Sequence, residues 1–458
     1  MMWKRLLSTS RVRELLEGAK PSARVAGDVR DEFDRDFDRI IYSTPFRRLQ
    51  DKTQVFPLDP NDSVRTRLTH SLEVSSAARG LAKGACRWLL GAGHITAEQA
   101  KSIETIAGAC GMLHDLGNPP FGHSGEEAIR EWFRNSAASR QTGVGGQFCA
   151  DFRHFEGNAQ TLRLVARLQV LADFFGLNLT AGTLSAARKY VAPSHLLDNG
   201  VHERSKAGHF ASENDLVARV QKETGTGEGR NPIAFLVEAA DDCVYNVVDL
   251  EDAMTKDLFD WGELKERLLN EGRRARVVRG CLDWAEARVK RSRPALRGRA
   301  RDKALVQYFR VRTIGEMVTA AVRTFCAKYA RIMSSDYHGE LLVDSPAAPL
   351  LRACRRINAQ SVYCSRGTLE LELMGRRIIQ DILAVFWEAV DRGRVSSPPL
   401  FAKKAYDLLS DNYRRVFERQ LAKGDLPLWY CKRQLVTDYV CGMTDTYAVE
   451  LHKRLMNG

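Results

Sequence analysis

Apolar residues along the chain recur at steps of three and four, the spacing of a helix that buries one face. Three stretches carry the pattern most clearly: Leu162, Val165, Ala166 and Leu168 to Leu171; Ile233 to Ala253; and Arg376 to Val390. Ile103 to Leu113 reads as a further apolar helix. Alternating, strand-like runs are short and rare. Glycine and proline gather between the helical stretches, at Gly117-Asn118-Pro119-Pro120, at Gly143 to Gly146 and at Gly225 to Pro232. Such clusters end helices and turn the chain. No segment repeats at a fixed period. The pattern predicts an all-α protein with a helical core, long irregular insertions and a C-terminal helical lobe. The expected organisation is a helical segment over 1–60, a core over 61–260, a basic helical segment over 261–330 and the lobe over 331–458. Residues 192–231 are polar and contain glycines, so they read as an irregular excursion or a mobile flap.

Composition narrows the class. The chain has 458 residues, 44% hydrophobic and 28% charged, which excludes a mostly disordered or collagenous protein. No apolar run reaches the roughly eighteen residues of a membrane span. The N-terminal MMWKRLLSTSRVRELLEG places charges where a secretory signal would be apolar. A soluble, cytoplasmic protein without a membrane partner is expected. The ten cysteines form no C-x-x-C pair, which fits free thiols. The net charge is +12, and twelve basic against three acidic residues fall between Arg273 and Lys303. That block points to a polyanion or a highly phosphorylated substrate, or else to a solvated helical face.

The chemistry concentrates in Gly111-Met112-Leu113-His114-Asp115-Leu116-Gly117-Asn118-Pro119-Pro120-Phe121-Gly122-His123-Ser124-Gly125-Glu126-Glu127. His114 and Asp115 follow an apolar helix, so both can touch one ion lying at its end. Ser124 is a candidate cap for the next helix. His123 and Glu126 stand three apart there and share a face. His70, in Arg67-Leu68-Thr69-His70, and Asp241, in Glu238-Ala239-Ala240-Asp241-Asp242, complete a candidate metal centre. Two imidazoles and two carboxylates suit Mn²⁺, Fe²⁺, Co²⁺ or Zn²⁺; Mg²⁺ is less natural because of the nitrogens. So many ionisable groups on apolar helices are costly unless an ion or substrate pairs them.

Taken in order, the motifs resemble those of the HD-superfamily deoxynucleoside triphosphate triphosphohydrolases, the dGTPase family. They are Arg35-Asp36-Phe37-Asp38-Arg39-Ile40-Ile41-Tyr42-Ser43, Phe46 to Pro57, Arg65 to Ser71, the His114 segment, His154-Phe155-Glu156-Gly157-Asn158-Ala159-Gln160, Lys189-Tyr190, Glu238 to Asp242 and Asp438-Tyr439-Val440-Cys441-Gly442-Met443-Thr444-Asp445. The resemblance implies an HD-domain helical core and a reaction that splits a dNTP into a deoxynucleoside and inorganic tripolyphosphate. It implies a divalent metal held by His70, His114, Asp115 and Asp241, with Asp242 as the alternative to Asp241. It also implies a catalytic dyad of His123 and Glu126, in which His123 serves as acid or as base.

Further expectations follow from the same resemblance. Arg67 and Lys189 are expected on the triphosphate, and Asn158 in the site. Tyr245 and Asp249 follow Asp241 at steps of four, on one helical stripe, where a ring excludes a 2′-hydroxyl and a carboxylate meets the 3′-hydroxyl. Gln50 is expected at that same hydroxyl. Glu372 and Arg433 are the candidates for reading guanine. The resemblance implies a homo-oligomer, hexameric in many relatives. Two other functions compete: an HD phosphohydrolase of another specificity, and a protein that binds single-stranded DNA or senses an effector nucleotide through the basic block, with Trp284 stacking on a base.

Overall fold

The computed structural model describes residues 1–20, 27–59, 61–136, 145–169, 173–272, 275–292, 294–393 and 398–456. Of the positions read from sequence, Gly143, Leu171 and Arg273 lie outside these residues. Helices account for 70% of the chain, and the described residues hold no strand, only three isolated bridges. The fold is all-α. No helix among the described residues is long and apolar enough to cross a membrane.

The helices Arg67–Gly91 and Ala97–Leu113 form an antiparallel pair, and Pro232–Thr255 packs across both. The long helix Gly298–Met333 lies on Pro232–Thr255 and Arg67–Gly91. Local sequence explains where they begin. Thr66 and Thr96 each accept the amide three residues on, from Thr69 and Gln99, and each receives a bond back. Asn231 caps the third helix, with Pro232 at its first position. Close approach needs Gly111, where a Cβ would sit 2.6 Å from Ser75 Cα. The helix Pro232–Thr255 is buried almost all round, and Glu238, Asp242, Asp249 and Asp252 are buried with it. Carboxylates in such a place must face counter-charge or a cavity.

Two apolar clusters hold the molecule. One gathers around Val74, Leu81, Ile106, Leu236, Val247 and Phe309. The other, around Met112, Ile129, Phe152, Ile379, Phe386 and Val436, joins the Gly122–Asn135 helix to Arg366–Arg392 and Leu428–Cys441. The four expected segments share these two cores. Burying each large side chain stabilises the fold by roughly 1.5–3 kcal/mol.

Arg163 pins the second cluster. It is 1% exposed, donates from Nε and Nη2 to the Asp438 carboxylate (2.8 and 2.6 Å), and reaches Glu213 from Nη1 at 3.1 Å. Arg163→Met should therefore destabilise the fold by about 3–5 kcal/mol, because two buried carboxylates lose their cation. The measurement is the urea midpoint; an unshifted midpoint would show that the pair is not needed.

Two local readings are corrected. Residues 192–231 are not a flap: Asn214–Thr224 is a helix that buries Leu216, Val217 and Val220 and ends at Gly225, with φ +71°. The segment before it is tied down by Val191 N–H to Glu203 O (2.9 Å) and Gly208 N–H to Ala192 O (2.8 Å). The short apolar stripe was hidden among polar neighbours. Ser124 is not a cap, because its helix already begins at Gly122; its hydroxyl donates to Glu372 O at 3.1 Å.

Candidate metal centre and active site

His70 stands on the first turn of Arg67–Gly91, His114 just beyond the end of Ala97–Leu113, and Asp241 in Pro232–Thr255. Three helices thus converge on one point. The Nδ1–H of His114 donates to Gly111 O at 2.8 Å, since a carbonyl can only accept. Its Nε2 is left as a bare lone pair, buried and without a partner. That nitrogen lies 3.5 Å from Asp115 Oδ2 and 3.7 Å from Asp241 Oδ1. The Nε2 of His70 is 3.1 Å from the same Asp241 oxygen. His70, His114 and Asp115 each offer a ligand atom, all within 4.8 Å of one another. An orphaned imidazole nitrogen among carboxylate oxygens is the donor set of a divalent ion.

The charges are set accordingly. Burial works against ionised Asp115, but Arg67 and the two histidines outweigh it and hold its carboxyl well below the usual range. Burial likewise opposes Asp241, and the hydrogen bond from His70 brings it down. Asp115 also accepts from Asn118 Nδ2 at 2.7 Å and from Arg67. Asp242, the alternative ligand, turns away to Arg355 at 2.8 Å, and burial pushes it up to about 6. Asp241 is the residue that faces the cluster.

Beyond the turn, His123 Nδ1–H donates to Glu126 Oε2 at 3.0 Å. The ring is 84% exposed, standing in open space, while Glu126 beneath it is 2% exposed. Glu126 accepts from Gly157 N at 2.8 Å and lies 3.5 Å from Arg130. Burial would raise its carboxyl, but the bond from His123 and nearby cations bring it down to about 2. The same hydrogen bond raises the imidazole above its ordinary value.

Both groups open into one cavity of about 720 Å³, a size suited to a small ligand. Arg67, Asn158, Lys189, Tyr245, Asp249 and Glu372 line it. Gln50 and Arg433 do not. Gln50 is exposed on the Leu49–Asp51 turn, whereas Gln54, in the same motif, reaches the cavity with its amide oxygen buried and without a partner. Arg433 is buried, its guanidinium 4.5 Å from the centre of the Trp429 ring. Sequence reasoning missed Tyr363, whose hydroxyl donates to Asp249 at 2.6 Å, and the wall cations Lys206 and Arg355. None of the three sits in a motif with a local spacing. Asp249 is pushed up to about 7 by burial. In the basic segment, Arg288 lies 5.0 Å over the Trp284 ring and Tyr308 meets it edge-on, so one face is already taken.

An all-helical chain with a His, a His-Asp pair and a distant Asp at one cavity has the architecture of an HD phosphohydrolase. Residues 342–454 match the phosphohydrolase-associated domain. Over 99% of its length the chain is 35% identical to deoxyguanosinetriphosphate triphosphohydrolase-like proteins of Listeria monocytogenes (serovar 1/2a) and Listeria innocua (serovar 6a), covering 99% of each. The chain belongs to the dGTP triphosphohydrolase-like family of HD phosphohydrolases.

Proposed function

We propose that this protein hydrolyses deoxynucleoside triphosphates, dGTP foremost, to a deoxynucleoside and inorganic tripolyphosphate. One observation carries the reading: the His-Asp cluster, the His123–Glu126 pair and the Tyr245–Asp249–Tyr363 wall share a single cavity. His70, His114, Asp115 and Asp241 would hold a divalent ion of the Mn²⁺, Fe²⁺, Co²⁺, Zn²⁺ or Mg²⁺ series. When bound, such an ion supplies an acidified water and polarises an α-phosphate oxygen.

The chain's own residues do the rest. Arg67, Lys189, Lys206 and Arg355 offset the triphosphate charge along the walls. Water attacks the α-phosphorus, the bond to the 5′ oxygen breaks, and that oxygen needs a proton to leave. His123 supports the acid role: Glu126 holds one nitrogen and keeps the ring protonated to higher pH, while the other faces the cavity. Asp249 and Gln54 offer acceptors to the 3′-hydroxyl. The dGTP preference draws on the relatives' names and on the Glu372 carboxylate, which suits guanine N1–H and N2–H₂.

Chromatography of the products from each dNTP with Mn²⁺, Mg²⁺ or Co²⁺ tests the reading. Tripolyphosphate is the expected product; pyrophosphate or orthophosphate would reject it. Tyr245→Ala should raise GTP turnover relative to dGTP by roughly tenfold or more, because the lost ring opens space beside C2′. An unchanged dGTP/GTP ratio would assign the gate elsewhere.

A further inference from the structure

Asp445 ends the sequence motif that began at Asp438, and the proposed chemistry does not use it. It opens the Asp445–Met456 helix and is 1% exposed. Its Oδ1 accepts from Phe121 N at 3.0 Å; its Oδ2 accepts from Thr53 N at 3.0 Å and from the Thr53 hydroxyl. These partners lie 324 and 392 residues away in sequence. Beside it, buried Lys52 donates from Nζ to Asn118 O at 2.5 Å and to Cys441 O at 2.8 Å. The turn from Asn118 to Phe121 is thus held at both ends.

What is held is a strained corner. Phe121 has φ +61° and Gly122 has φ +57°. A residue with a Cβ disfavours this left-handed region and stays there only when its surroundings impose it. Gly122 admits no side chain, since a Cβ would meet Arg67 Nη2 at 2.6 Å. Across the corner, a Cβ on Gly375 would lie 2.6 Å from Phe121 Cγ, so the ring packs directly on the Arg366–Arg392 backbone. His123 is the next residue. The corner sets how the Gly122–Asn135 helix enters, and hence where the imidazole points.

We propose that Asp445 is a positioning residue for His123: its carboxylate ties the Phe121–Gly122 corner to the Thr53 wall of the cavity, with Lys52 securing the same turn. The proposal rests on the reading of His123 as the proton-transfer group. A carboxylate is required because it accepts on both oxygens and carries no donor, whereas asparagine turns an NH₂ toward one of the amides.

The test compares Asp445→Asn, His123→Ala and the double variant on dGTP with Mn²⁺, with metal content and calorimetric nucleotide binding measured on each. Asp445→Asn should lower kcat about ten- to a hundred-fold, as a small misplacement of a reacting group does. KM and metal content should change less than about twofold. In the His123→Ala background it should cost nothing more, because the group it positions is gone. Losses that multiply in the double variant, or a loss seen mainly in KM, would overturn the proposal. Should Asp445→Asn not fold, Thr53→Val removes only one donor to the same carboxylate and should show a weaker form of the same pattern; wild-type kinetics there would count against it. His123→Ala at wild-type rate would instead overturn the underlying reading of His123.

Discussion

His123→Ala should keep its metal and bind nucleotide, yet lose turnover by about 10²–10⁴-fold, the usual contribution of one positioned proton transfer. The hydrogen bond that holds His123 runs to Glu126, while the ion's donors come from His70, His114, Asp115 and Asp241. Removing the ring therefore leaves the cluster intact. Glu126→Ala should cost less, because it holds and tunes the imidazole. The sign of its pH effect follows from that hydrogen bond, which raises the imidazole. Without it the ring loses its proton at lower pH, and the alkaline limb of the rate profile should move down. Glu126 also bears on stability. Its carboxyl lies at about 2 when folded, so its contribution is complete above the ordinary carboxylate range and fades on acidification toward that value. Calorimetric binding and single-turnover rates read the outcome; a His123→Ala protein without metal would make His123 a ligand.

His114→Ala or Asp115→Ala should remove bound metal and activity together. The Nε2 of His114 is buried, without a protein partner, between two carboxylates. Deleting either side chain leaves too few donors and abandons charge in a buried place. For Asp115 the freed partner is Arg67, which is itself buried. Truncating one side of a buried pair costs about 3–5 kcal/mol, so Asp115→Ala should also melt earlier than His114→Ala. Elemental analysis with thermal unfolding measures both effects. Full metal content in either variant would reject the ligand set.

Short-range periodicity is what the sequence determined. A stripe of apolar residues made Ile233 to Ala253 and Arg376 to Val390 legible as helices, since a helix repeats every 3.6 residues whatever its neighbours. Local spacing also made the His123–Glu126 pair and the His114–Asp115 helix end readable, because three residues along a helix is a contact distance. Rotation and convergence were left to tertiary packing. Asp241 and Asp242 differ by about 100° on one helix, and only its seating against Arg67–Gly91 turns the first to His70 and the second to Arg355. Gln54 rather than Gln50 reaches the cavity because the chain leaves the Leu49–Asp51 turn first. Arg433 packs on Trp429, away from the cavity, since its helix shows that face to the second core. Tyr363, Lys206 and Asp445 reach the active region from distant segments. No local pattern announces such residues, because their placement is decided by how whole helices bury their apolar faces against one another.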